Sequence, residues 1–156
     1  LAGSDYLVSD IFETYRRKLI GLPLSMIWRG YGSAIFLELD AVGPLDAKGR
    51  LQGRFSIMIE WSWRISSRTE ILTGSWGEED TWPSYFDDLK GNTVTDVTLF
   101  GTPLEVAISF SNGLQLASFM TAEGSPAWTI FDQSDKEVRR WISIENGEIS
   151  EGGKSD

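Results

Sequence analysis

Between residues 54 and 66 the chain alternates at every second position. Phe55, Ile57, Ile59, Trp61, Trp63 and Ile65 share one parity. Arg54, Ser56, Glu60, Ser62, Arg64 and Ser66 share the other, with Met58 as its apolar exception. Period two sends alternate side chains to opposite faces. The stretch therefore predicts one long, half-buried antiparallel strand, with Trp61 and Trp63 in the core. Burying six such side chains yields about 9–18 kcal/mol gross, enough to organise a small domain.

The rest of the chain reads as further strands and two helices. Phe12, Tyr15, Leu19 and Ile20 form a helical stripe. Asp10 and Glu13 have capping-box spacing, so a helix start is predicted at Ser9 or Asp10, with residues 1–8 flexible. Arg16, Arg17 and Lys18 fall in the last turn, where cations favour the negative dipole end, and Gly21 is the stop. Strands are predicted over 24–29, 34–40, 69–76, 93–100, 127–131 and 138–144. The Gly- and Pro-bearing stretch 41–53 reads as a long loop. A short helix capped by Asp80 or Thr81, with Pro83 near its start, should end at Leu89 before Gly91. Residues 148–156 are polar and Gly-rich and are expected to be disordered.

Residues 104–120 predict a hairpin. A two-residue Asn112-Gly113 turn would set Phe110 against Gln115. A three-residue Ser111-Asn112-Gly113 loop sets Phe110 against Leu114 and Ile108 against Leu116, which keeps the apolar set on one face. The longer loop is therefore predicted, with Gly113 in the left-handed region.

Two similar helix-plus-strands halves emerge, residues 9–76 and 81–145. Leu19-Ile20-Gly21 recurs as Leu89-Lys90-Gly91, and Leu24 and Ile27 match Val94 and Val97 seventy positions on. The expected fold is α+β, mainly antiparallel β, a single domain over 1–156. Its form is a β-sandwich or a partly closed barrel with two short helices.

Composition narrows the chemistry. The chain has no Cys and no His. Thiolate nucleophiles, Cys- or His-bound metals and histidine acid–base catalysis are thereby excluded. A Cys-free chain fits a cytoplasmic location. Net charge is −9, which disfavours nucleic acid and suits a basic protein partner. No apolar run reaches the ~20 residues of a membrane span, and residues 1–20 lack a signal-peptide pattern. Gly30-Tyr31-Gly32 lacks the third glycine and the following helix of a nucleotide loop. No residue pattern calls for a cofactor or a metal.

Carboxylates and tryptophans remain. Glu78, Glu79, Asp80, Asp87 and Asp88 cluster around the second helix without EF-hand spacing. Trp82, at the loop-to-helix junction beside them, is the expected exposed aromatic anchor. Glu38, Glu60 and Glu105 lie on the polar parity of predicted strands, and two of them in one cleft would make a glycosidase-like pair. Trp28, Trp76 and Trp141 have undetermined parity and could offer a sugar platform.

The run Leu104-Glu105-Val106 through Phe110-Ser111-Asn112-Gly113-Leu114, followed by Trp128-Thr129-Ile130, resembles a pattern in small, uncharacterised bacterial proteins. Some of these are similar to immunity proteins of toxin systems. The resemblance implies a non-enzymatic protein that neutralises a toxin by binding. The leading expectation is an acidic protein-binding module of immunity or inhibitor type. A small-ligand or carbohydrate-binding β domain is the alternative, and a carboxylate-pair hydrolase the third reading.

Overall fold

The computed structural model describes residues 2–123 and 126–155, with side chains from residue 10 onward. Helix α1 spans Ala2–Leu19, and α2 spans Trp82–Leu89 after a 3-10 turn at Glu79–Thr81. The strands are β1 Leu24–Arg29, β2 Ile35–Ala41, β3 Gly53–Ile59, β4 Trp63–Ser66, β5 Ile71–Gly74 and β6 Val94–Phe100. They continue as β7 Glu105–Phe110, β8 Gln115–Ser118, β9 Trp128–Asp132, β10 Val138–Glu145 and β11 Glu148–Ser155. Six strands form one sheet in the order β1-β2-β3-β9-β10-β11, and five form the other in the order β5-β4-β8-β7-β6. Neither sheet closes, so the fold is sandwich-like α+β with antiparallel sheets.

The alternating stretch is not one strand. It passes from the six-stranded sheet to the five-stranded sheet across Glu60-Trp61-Ser62. The odd link preserves parity, so Ile59 and Trp63 both face inward and both are fully buried. Trp61 sits on the corner itself and is partly exposed, contrary to the core position its parity predicts.

The two halves share one strand plan. Each lays three strands in one sheet, then crosses over and pairs its fourth strand with the third strand of the other half. The correspondence extends to single bonds. Gly21 N–H donates to Val94 O at 2.7 Å, and Gly91 N–H to Leu24 O at 2.8 Å. Leu24 N–H donates to Asn92 O at 2.8 Å, and Val94 N–H to Leu22 O at 2.9 Å. A lone bridge between Pro23 and Thr93 lies at the centre of this exchange. Both first strands carry an irregularity at the matching place, Leu24/Met26 and Val94/Asp96. All these pairs repeat at the seventy-residue offset. Helix α1 packs on β6 and β11 and α2 on β1 and β5, so each helix spans from one sheet to the other. Leu19 and Leu89, the last residue of each, are fully buried.

Several boundaries differ from the sequence expectation. Helix α1 begins at Ala2, so Asp10 is an interior residue whose carbonyl accepts the Thr14 hydroxyl. Nothing in residues 2–9 breaks the ladder, since no proline is present. Glu13 bonds Arg16 and Arg17 rather than closing a capping box. Residues 148–155 are strand rather than disordered chain. Asn146 and Gly147, at φ 52° and 78°, make the two-residue turn that returns the chain along β10. This edge strand needs little burial because it pairs with β10 along its whole length. The Trp141 indole lies against Gly152, where any Cβ would fall 2.4 Å from Nε1.

The predicted three-residue loop is present. Ile108 faces Leu116, Phe110 N–H donates to Leu114 O, and Gly113 has φ 86°. An L-residue is strained there, with open space around it. Gly113→Ala should therefore lower stability by about 1–2 kcal/mol through backbone strain alone. Urea unfolding reads this directly, and an unchanged midpoint would contradict the left-handed conformation.

Candidate functional site

The acidic segment lies around α2 on the surface. Glu79 is tied to Arg29 by two bonds, at 2.9 and 3.2 Å. The Arg29 guanidinium holds the Glu79 carboxyl below its ordinary value. Glu78, Asp80, Asp87 and Asp88 are exposed, and none forms an ion pair among the described residues. Thr81 precedes α2 without a side-chain capping bond; its hydroxyl donates to Glu78 O instead.

Trp82 is not the exposed anchor. It is 3% exposed, its ring is 4.9 Å from that of Trp63, and its N–H donates to Gly74 O. The Arg29 guanidinium covers it, 4.9 Å from its centroid. Trp82, Tyr85, Phe86 and Leu89 stand at i, i+3, i+4 and i+7, the spacing of one helix face. That stripe was the available signal for burial. The exposed indole is Trp76, two residues before Glu78 and 71% accessible. Its N–H donates to the Ser62 hydroxyl at 3.1 Å. Trp76 and Trp61 flank a cleft of about 320 Å³ lined also by Ser33, Ser75 and Thr121.

The three strand glutamates do not converge. Glu38 lies in the six-stranded sheet and accepts from the Trp28 indole, Gly53 N–H and Ser56 hydroxyl. Glu105 belongs to the other sheet and accepts from the Ser118 hydroxyl and Met120 N–H. Glu60 sits on the crossing link. No groove described here is lined by two of them.

The basic helix end is used structurally. Arg16 meets Asp96 at 2.8 Å, Arg17 meets Glu13 at 3.3 Å, and Lys18 meets Asp132 at 3.5 Å. Burial, followed by the charges of Asp132 and Glu151, raises the Tyr15 phenol to about 12, so it stays protonated.

The outer face of the six-stranded sheet carries features the sequence reading missed. Trp28 stacks on Phe36 with ring centroids 4.1 Å apart and planes 5° apart. The Arg50 guanidinium sits 3.8 Å from the Trp28 centroid. Loops 42–52 and 133–137 flank an open groove of about 570 Å³ over this face. The loops meet where the Gln52 amide donates to Gln133 Oε1 at 3.4 Å, and Gln133 in turn donates to Gly53 O of β3. They lie some eighty residues apart in sequence and meet because β3 pairs with β9.

No helix among the described residues is long and apolar enough to cross a membrane. No protein-family model, curated protein or solved structure matches the chain. The functional reading therefore rests on surface chemistry alone.

Proposed function

We propose that the chain is a protein-binding module of immunity or inhibitor type, docking on a basic partner through residues 76–88. The observation that carries this is Trp76, a 71%-exposed indole two residues before Glu78, on a segment whose acids Glu78, Asp80, Asp87 and Asp88 have no ion-pair partner among the described residues. Unpaired acids steer a cationic surface and raise the association rate. An exposed indole supplies the aromatic anchor that contact centres favour. Trp76 takes the role the sequence had suggested for Trp82. The uncharged cleft between Trp61 and Trp76 supports a second reading, a sugar stacked on the indoles with Ser33, Ser75 and Thr121 as hydrogen-bonding groups.

Three forms of the immobilised protein test this against lysate of the source cells: wild type, Trp76→Ala, and a variant with Glu78, Asp80, Asp87 and Asp88 all changed to Lys. Wild type should retain one basic protein at low salt and release it at high salt. Trp76→Ala should weaken that capture about tenfold or more, and the charge-reversed form should lose it. Equal capture by all three would reject the proposal. Loss of a neutral oligosaccharide with Trp76→Ala alone, and no protein capture, would favour the sugar reading.

A further inference from the structure

The groove on the outer face of the six-stranded sheet gathers four cationic side chains among the carboxylates Glu38, Asp46 and Asp135, so it lacks the acidic excess of the chain. The protein carries −9, yet Arg50, Arg54, Lys136 and Arg139 line this groove or the smaller cleft of about 220 Å³ that adjoins it. The two spaces share Gln52, Gln133 and Arg139 and so lie side by side.

The carboxylates nearby are already engaged. Asp40 pairs with Arg54 at 2.7 Å. Asp46 accepts the backbone N–H groups of Lys48 and Arg50, both at 2.9 Å. Asp135 accepts Glu137 N–H at 2.9 Å. Glu38 is 4% exposed and holds three donors of its own. Arg50, Lys136 and Arg139, by contrast, form no ion pair within 4 Å among the described residues, although the Arg50 charge is felt at Asp46. Arg50 and Arg139 instead rest on aromatic rings, 3.8 Å from the Trp28 centroid and 4.2 Å from the Phe131 centroid. Cations parked on rings keep their donors free for an anion. Trp28 is itself held rigid, stacked on Phe36 and hydrogen-bonded to Glu38 at 2.8 Å.

The geometry points to a second binding site here, for a small organic oxyanion that carries a flat ring. The anionic group meets Arg139 and Lys136, with the Gln52 and Gln133 amides beside it. The ring lies on Trp28 opposite Phe36, where it replaces the Arg50 guanidinium. A phosphate and a carboxylate satisfy the same cations, so the class is a ring-bearing oxyanion. This site is independent of residues 76–88, and the failure of either proposal leaves the other standing.

The test is a titration of the nitrogen-15-labelled full chain, followed at the Trp28 indole N–H. The probes are 1-naphthyl phosphate, 1-naphthoate, neutral 1-naphthol and inorganic phosphate. At least one of the ring-bearing anions should shift the Trp28 signal saturably, about tenfold more tightly than naphthol or inorganic phosphate. The tighter of the two names the anionic group. The double variant Lys136→Ala/Arg139→Ala should weaken that anion about tenfold while the spectrum of the free protein stays folded. Three results would each overturn the inference: a Trp28 signal unmoved by both anions, naphthol binding as tightly as they do, or unchanged anion affinity in the double variant.

Discussion

Trp63→Ala and Trp128→Ala should each destabilise the protein by about 3–5 kcal/mol, the range for emptying a large aromatic site in a packed core. Both side chains are fully buried. Each opens the first strand after its half crosses between sheets, and each donates its indole N–H to a carbonyl just before the half's second strand. Trp63 reaches Ser33 O at 2.8 Å and Trp128 reaches Leu104 O at 3.2 Å. The two thus do the same work in the two halves, pinning the crossing strand to the neighbouring turn. Trp63 also packs against Trp82 and Phe86, so its loss frees α2 as well. Trp76→Ala provides the contrast. Its indole is mostly in water and makes one hydrogen bond, so about 1 kcal/mol or less is at stake. Urea unfolding of the three variants gives the comparison. A Trp63→Ala protein within about 1 kcal/mol of wild type would mean that the crossing is not held by the core.

The alternation of polar and apolar residues made the fold class legible but concealed the crossing. The same parity faces inward on both sides of Glu60-Trp61-Ser62, as Ile59 and Trp63 show, and no local signal in the sequence marks the change of sheet. The three-residue hairpin loop was legible for the complementary reason: only one register keeps Phe110, Leu114, Ile108 and Leu116 on a common face. Strand β11 was hidden because it is built by backbone pairing along its whole length, which composition does not record. At the sites, the exposure of the acids followed from their charge. The exchange of Trp82 for Trp76 did not follow from position alone, although the helical stripe from Trp82 to Leu89 encodes it. The basic groove was beyond reach of local reading, since its two loops meet only through β3–β9 pairing.

Glu38 supplies the second large effect. It sits on the polar parity of β2, where a sequence reading places a solvated side chain, and it is buried instead. Two donors converge on one carboxylate oxygen, the Trp28 indole at 2.8 Å and the Ser56 hydroxyl at 2.9 Å. The other oxygen takes the Gly53 N–H at 3.1 Å. Gly53 is itself pressed against Leu39, so close that a Cβ would lie 2.5 Å from its backbone nitrogen, and this donor cannot move aside. Glu38→Ala leaves three donors facing a void. At about 1–3 kcal/mol for each buried group left unpaired, a loss of roughly 3 kcal/mol or more is expected. Glu38→Gln keeps the shape but replaces one acceptor with an NH₂. Whichever way the amide turns, that NH₂ meets a donor: the indole on one side, the Gly53 N–H on the other. The amide should therefore cost about 1–3 kcal/mol despite its near-identical volume. The indole signal of Trp28 separates this from simple packing loss. In Glu38→Gln it should move while the core stays closed, and in Glu38→Ala the Trp28–Phe36 stack should lose its fixed orientation. Wild-type stability in Glu38→Gln would show that the carboxylate is not what organises this face of the sheet.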